Sequence, residues 1–308
     1  MASTSSIGRA GSKGPAITTR PGAMATWWRS QRGDLAKDAI ISVVVGAALF
    51  LGACWWDARL QARQDALATA IAQRQDDLAR NLANQAEVLE NTRFVRQLAM
   101  SKEEKPKSFA SINLRGAELG GLHLGCKRRP LTGLSGCADF QKADLQEANL
   151  TLAGFSGAGM DHADLRKAKL TSANFSDAQL RGADLGGVAT ARPAHFQGAH
   201  MHRITLVQAE LDGADFTDAS LSRAEADEAD LSSANFHRAS LRASRFKHAD
   251  LRDANFRGAN MTDVDLTSAD LRGADFTRAD LRNAVFTDVC FDHTTKWASN
   301  SPPASSSC

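Results

Sequence analysis

The chain has 308 residues, with 37 basic and 35 acidic side chains, so no excess of positive charge points to nucleic acid as a partner. Tyrosine is absent and aromatic residues are 6% of the sequence, which argues against a recognition surface built on aromatic anchors. None of the five cysteines lies in a CxxC pair, which argues against a zinc ribbon or a thioredoxin-like motif.

The N-terminal region predicts a tail followed by a membrane anchor. Residues 1–38 are rich in Ser, Thr, Gly, Ala and basic residues without apolar periodicity, so they predict a disordered basic tail. Residues 39–56 carry no charge, and a helix of about that length crosses a hydrocarbon layer of ~30 Å. Trp27, Trp28, Trp55 and Trp56 flank this segment in the manner of an interfacial aromatic belt. A single transmembrane helix over 39–56 is the favoured interpretation.

Three alternatives compete for the same segment. Leu51-Gly52-Ala53-Cys54 resembles a bacterial lipobox, in which Cys54 would be lipidated. A cleaved secretory signal is disfavoured by the long preceding tail and by the lack of a clean A-x-A site. A buried soluble helix is disfavoured because no second helix of equal hydrophobicity is present to pack on it.

The distribution of basic residues predicts the orientation. Within about 20 residues of the span, four lie upstream (Arg20, Arg29, Arg32, Lys37) and three downstream (Arg59, Arg63, Arg74). The bias favours a single-pass protein of a bacterial-type cell membrane, with the N-terminus inside and the C-terminal domain extracytoplasmic.

Residues 57–105 predict one long helix that Pro106 ends. Its apolar residues recur every eleven positions, which gives a straight or slightly right-handed stripe. The stripe contains Leu60, Ile71 and Leu82 in one series and Leu67, Leu78, Leu89 and Met100 in another. Two interpretations stay open: a membrane-proximal coiled-coil stalk that forms a homo-oligomer, or an amphipathic helix lying along the bilayer or against the next domain.

From Ala138 the chain repeats every five residues. Of the 30 central positions from Phe140 to Phe291, 29 are Leu, Phe or Met, and the exception is Ala226. A period of five fits neither a helix nor an alternating strand, so each unit is expected to be a short extended piece followed by a corner. Phenylalanines at the central positions recur at a second, longer period of four units. This period predicts four units per coil and therefore a four-sided tube. Its core ladder contains Phe155, Phe175, Phe196, Phe216, Phe236, Phe256 and Phe276.

Over residues 107–291 these units match A-[DN]-[LF]-x-x, the consensus of the pentapeptide-repeat family, which the chain strongly resembles. The resemblance implies an all-β solenoid, a right-handed quadrilateral β-helix, here over 106–298. It also implies that Trp297, in the closing run that begins at Phe291, covers the last coil. Residues 299–308 show no pattern and predict a second disordered tail.

Two interruptions predict loops at 125–137 and 186–194. Cys126 and Cys137 bracket the first, and they are interpreted either as a disulfide or as two unrelated thiols. The loop carries Lys127, Arg128 and Arg129, which are a candidate partner contact or a solvated basic turn.

The repeat pattern argues against an enzyme. A catalytic site needs groups that converge on a pocket, whereas the tube turns its polar residues outward on four faces. His195, His200 and His202 are spaced across a corner, so neither a metal site nor a cofactor is expected. Glu210, Asp230, Asp250 and Asp270 are one predicted coil apart, so they should form a column on one face and are the second candidate contact.

The sequence therefore predicts a non-catalytic, membrane-anchored protein-interaction scaffold with an unidentified protein partner and no small-molecule substrate. The resemblance implies an alternative, a DNA-mimicking regulator of a type II topoisomerase (gyrase) on the cytoplasmic side. A mimic of that kind needs a strongly acidic rod, and here acidic and basic residues nearly balance.

Overall fold

The computed structural model describes residues 21–100, 107–126 and 137–298. The chain divides into two compact units, Met1–Ala79 and Arg80–Cys308. One helix, α1 (Pro21–Met100), precedes two short strands, β1 (Lys107–Ser108) and β2 (Ala138–Asp139), which pair in parallel. The other described residues of the second unit form a β-helix whose coils are joined by single parallel bridges.

The start of α1 differs from the sequence prediction. Disorder was predicted over 1–38, and for residues 21–38 that prediction is wrong because the helix begins at Pro21. Proline suits the first helical position, and helix formation is cooperative, so the long apolar segment extends the helix into its polar flank. The predicted anchor and the predicted stalk, as far as Met100, are parts of this one helix, and residues 101–105 of the predicted stalk lie outside the described residues.

In the first unit, α1 exposes its apolar segment completely. Ile40, Val43, Leu49 and Phe50 are 63 to 71% exposed, and Trp55 and Trp56 are exposed as well. Among the described residues, one helix is long and apolar enough to cross a membrane, judged by length and composition.

The coils of the β-helix contain four five-residue units each. Asp215, Asn235, Asn255 and Asp275 form consecutive parallel bridges, each exactly four units after the last. Asn113 pairs with Asp144 because the chain inserts eleven extra residues between the first two described coils. The pentapeptide period therefore predicted both the architecture and the coil length.

Each unit satisfies its backbone donors in a regular way. In the unit around Phe140, the amides of Phe140 and Lys142 donate to the next coil, and Ala143 donates back to Phe140 to close a turn. The amide of Gln141 is left, and it donates to Oδ1 of Asp139 at 3.1 Å. The Asp or Asn of each unit thus caps a turn amide that would otherwise have no partner, which explains its place beside the core residue.

The interior of the tube is filled by the central residues and the preceding alanines, nearly all fully buried. From Phe155 to Phe276, consecutive phenylalanine rings stack within 7° of parallel, at centroid distances of 4.8 to 5.2 Å. Ala226 leaves space in its column, and Phe246 on the next coil occupies the same column and packs edge-on against Phe236 at 6.2 Å. The large side chain compensates for the small one.

In the second unit, the last turns of α1 close the N-terminal end of the β-helix. Val95 is fully buried in the core, and Phe94 packs edge-on against Phe109 at 5.9 Å. Asn91 donates to the carbonyl of Asn113 at 2.9 Å, and Arg96 donates to the carbonyl of Glu118. These side chains cover carbonyls at the edge of the first coil, where no preceding coil supplies a donor.

Trp297 lies at the C-terminal end of the tube. Its ring stacks on Phe276 at 5.1 Å and meets Phe286 and Phe291 edge-on at 5.6 and 5.3 Å. Lys296 pairs with Asp275 in the bridge column, so the tryptophan occupies the next position of the phenylalanine ladder.

The predicted loop at 186–194 is mostly regular coil. Val188 is fully buried in an alanine position, and Ala189 bridges both Lys169 and Glu210. A single insertion is present, since Asn174 pairs with His195 rather than with Ala194. Only the turn around Pro193 departs from the repeat. The predicted loop was too long because Val188 and Thr190 stand where a typical unit has Ala and a central Leu, Phe or Met.

Candidate interaction surface

The acidic column predicted from the coil-length spacing lies on one face of the tube. Glu210 bridges Asp230, Asp230 bridges Asp250, and Asp250 bridges Asp270. Stacked carboxylates repel one another, so such a column needs compensating charge.

Arginine supplies that charge to the C-terminal half of the column. Arg252 contacts Asp250 at 2.5 Å, and Arg272 contacts Asp270 at 2.6 Å. Burial alone would raise the pKa of Asp270, but the hydrogen bonds from Arg272 outweigh it and the pKa is lowered. Glu210 and Asp230 form no ion pair with any residue in the described part of the chain. The unpaired acidic surface of this column is therefore confined to these two side chains.

The same pairing of an aspartate with an arginine two residues later occurs on other faces. Arg166 contacts Asp164 at 2.6 Å, and Arg282 contacts Asp280 at 2.7 Å. The hydrogen bond from Arg282 lowers the pKa of Asp280 to about 2. The arginines of these pairs are 48 to 77% exposed, so each pair contributes little to stability. Their common effect is to fix the positions of surface charges.

The lowered pKa values predict that the β-helix loses stability in acid. A carboxyl whose folded pKa lies below its unfolded value of about 3.9 stabilises the fold above that pH, and this contribution disappears as the pH falls through the folded pKa. The melting temperature, followed by circular dichroism, should therefore fall between about pH 4 and pH 2. Asp280→Asn should flatten that fall. Asp212→Asn is the control and should leave the fall unchanged, because it removes an exposed turn carboxylate that forms no ion pair with the described residues. Equal slopes for the two variants would contradict this interpretation.

The other predicted site residues do not form one cluster. Lys127, Arg128 and Arg129 lie outside the described residues. Cys126 and Cys137 are joined by a disulfide, with Cα atoms 4.5 Å apart. His195 bridges Asn174 on one face and His200 bridges Gln179 on the next. No group of three or more His, Cys, Asp or Glu side chains in the described ranges could hold a metal ion.

One surface feature was missed by the sequence analysis. A cavity of about 590 Å³ lies at a corner of the tube and is lined by His202, Ser222, Arg223, Arg242, Ala243 and Asp263. In the sequence, this feature is indicated by Arg203 and Arg223, which are one coil length apart and therefore lie at the same corner.

Comparisons with known proteins agree with the repeat architecture. Two protein-family models match the chain. The model described as "Pentapeptide repeat region" matches residues 219–295, and the model described as "Pentapeptide repeats (8 copies)" matches residues 137–171, 155–187 and 194–232. No curated protein sequence matches the chain.

Solved structures with similar folds include three pentapeptide-type proteins. HetL, a pentapeptide repeat protein involved in heterocyst differentiation regulation from the cyanobacterium Nostoc sp. strain PCC 7120, is 26% identical, with 63% of this chain and 90% of HetL covered and a TM-score of 0.31. A pentapeptide repeat protein from the Arabidopsis thaliana thylakoid lumen is 32% identical, with 37% and 68% covered and a TM-score of 0.26. QnrB1, a plasmid-mediated fluoroquinolone resistance protein, is 16% identical, with 60% and 80% covered and a TM-score of 0.28.

Proposed function

Because the chain belongs to the pentapeptide-repeat family, we propose that it is a membrane-anchored, non-catalytic solenoid that presents a rigid surface of mixed charge to a protein partner. The observation that carries this proposal is that one helix, α1, contains both a fully exposed apolar segment and the turns that close the β-helix.

The apolar segment supports the membrane anchor. The uncharged run over 39–56, whose valine, leucine and tryptophan side chains are all exposed, is unfavourable in water. A lipid bilayer supplies the missing apolar environment, and the length of the run matches the thickness of its hydrocarbon layer.

The β-helix supports interaction rather than catalysis. Several of its outward carboxylates both cap turn amides and form ion pairs with arginine, as Asp250 and Asp270 do. A surface of this kind is preorganised, so a protein partner would bind it without the loss of side-chain entropy that a flexible surface entails. The two unpaired acids, Glu210 and Asp230, form the contact that we favour on the acidic face.

The paired arginines argue against mimicry of a DNA duplex. Such mimicry needs an uninterrupted series of negative charges, whereas Arg252 and Arg272 offset half of the longest acidic column. We therefore propose that the β-helix lies on the extracytoplasmic side, where the Cys126–Cys137 disulfide would persist. The self-association of the helix between residues 57 and 100 stays a prediction, supported by the exposure of Leu60, Leu67, Ile71 and Leu78.

The experiment that tests this proposal combines fractionation with thiol labelling. The full chain should stay in the membrane pellet after a carbonate wash, and a variant with Val43→Asp and Leu49→Asp in the apolar segment should move to the supernatant. In intact cells, a membrane-impermeant maleimide should label Cys126 and Cys137 only after treatment with an impermeant reductant. Cys54, Cys290 and Cys308 would be changed to Ser in all samples, so that only the two loop thiols are followed.

Two outcomes would overturn different parts of the proposal. Release of the unmodified chain by carbonate would remove the anchor. Labelling only after lysis would place the β-helix in the cytoplasm, and inhibition of DNA gyrase supercoiling would then become the assay to perform.

A further inference from the structure

One corner of the β-helix has a concentration of positive charge that the proposed function does not use. His202, Arg203, Arg223 and Arg242 lie in the turns that follow Met201, Leu221 and Leu241, and we call them the basic corner. These turns belong to three successive coils, because His200 bridges Ser220 and Ser220 bridges Ser240.

The charges of the basic corner are poorly compensated. Arg203 and Arg223 form no ion pair with any described residue, and Arg242 reaches only Asp263, at 3.9 Å. Two columns of bridge residues flank the corner. The one from Gln179 through Ser240 carries no carboxylate, and in the other Glu225 pairs with Arg245 at 3.5 Å. Since neighbouring coils are about 4.8 Å apart, like charges at equivalent positions repel one another. An anion bound between them would relieve that repulsion.

The corner is also concave. The second turn position is occupied by Arg203, Arg223, Ala243 and Asp263 on successive coils, so Ala243 leaves a notch between longer side chains. The notch is part of the cavity of about 590 Å³ lined by His202, Ser222, Arg223, Arg242, Ala243 and Asp263. The backbone does not account for alanine here, because its φ of 55° lies in the left-handed region, which favours Gly, Asn or Asp.

We propose that this notch binds a phosphate group through Arg223 and Arg242, which both line it. Guanidinium groups donate paired hydrogen bonds that match the oxygens of a phosphate, and a dianion would offset both charges. The ring of His202 and the hydroxyl of Ser222, which also hydrogen-bonds with the hydroxyl of Ser240 at 3.0 Å, line the same space. Asp263 also lines the notch, with its carboxylate 3.9 Å from the guanidinium group of Arg242. The proposal rests on the corner alone and does not depend on the anchor or on a protein partner.

The test uses the full chain in nanodiscs of neutral lipid, titrated with pyrophosphate by calorimetry. Arg223→Gln should weaken binding roughly tenfold or more, since a charge-assisted hydrogen bond is lost. Ala243→Leu should fill the notch and abolish binding. Arg238→Gln is the matched control: it removes the same charge from the same turn position, with φ of 56° against 60° at Arg223, but Arg238 pairs with Asp218 on another corner. Melting curves would show that each variant is folded.

A competition experiment distinguishes a lipid headgroup from a soluble phosphate compound as the ligand of the notch. If phosphatidate in the nanodisc competes with pyrophosphate, the notch takes a lipid headgroup, and if it does not, the notch takes a soluble phosphate compound. Either result supports the site. An absence of pyrophosphate binding at millimolar concentration, or an equal loss of affinity in Arg223→Gln and Arg238→Gln, would overturn it.

Discussion

Phe236→Asp should abolish the cooperative folding of the β-helix. Phe236 is fully buried, and its ring stacks on Phe216 at 4.8 Å and on Phe256 at 5.0 Å. The substitution removes an aromatic ring and places a carboxylate in an interior where the described side chains offer it no cation. The expected loss is at least about 5 kcal/mol, comparable with the whole stability of an ordinary domain. Circular dichroism should show loss of the β signal and of the melting transition.

The size of this effect depends on charge burial rather than on loss of the ring. Phe236→Leu is the control, because leucine occupies many other central positions, such as Leu231 and Leu241, and it should lower stability by only about 1 to 2 kcal/mol. A melting temperature of Phe236→Asp within a few degrees of the unmodified protein would refute the stacked ladder.

The repeating part of the fold was predictable because a solenoid makes each residue's environment depend on its position in a short period. The five-residue spacing indicated the corners, and the longer spacing of the phenylalanines indicated the number of sides. Ala226 is the exception among the central residues, and only the coil register shows that the large Phe246 lies in the same column on the next coil. The capping role of Asp and Asn was also hidden, since it depends on the one amide per unit without a backbone partner.

The ends of the repeat were less predictable, because they depend on contacts outside its period. The eleven-residue stripe of α1 drew attention to Leu82 and Leu89, which the structure leaves exposed. The residues that contact the β-helix are instead spaced by three and four positions, from Val88 through Asn91 to Val95. Such a short series is not distinguishable in sequence from the rest of a long helix.

The surface could be predicted only where residues recur on one column. The acidic column was predicted in this way. Its pairing with arginine depends on side-chain positions that the spacing does not give, since Arg252 also approaches Asp270 on the next coil at 3.9 Å. The notch at Ala243 arises from a missing side chain between Arg223 and Asp263, and a gap has no signature in a sequence. Interaction sites on this tube therefore depend on differences between coils, whereas its stability depends on their likeness.

Val95→Asp should detach the end of α1 from the first coil while most of the β-helix stays folded. Val95 is fully buried at the open end of the tube, where its neighbours Asn91 and Arg96 cover the carbonyls of Asn113 and Glu118. A buried carboxylate is costly there, but the helix end can move away from the tube, so the loss is limited to the free energy of docking. Hydrogen exchange should accelerate over residues 88–126 and change little beyond Phe155.

Leu89→Asp is the matched control, because Leu89 lies on the same helix but is 62% exposed, and its exchange should match that of the unmodified chain. Detachment would also uncover the edge of the first coil, a row of unpaired carbonyls that can bind another strand. Val95→Asp should therefore aggregate more readily than Leu89→Asp in light scattering. Equal exchange and equal scattering in the two variants would mean that the last turns of α1 do not protect this edge. The first coil would then have to be stable without a cap, contrary to the rule that solenoids need their ends covered.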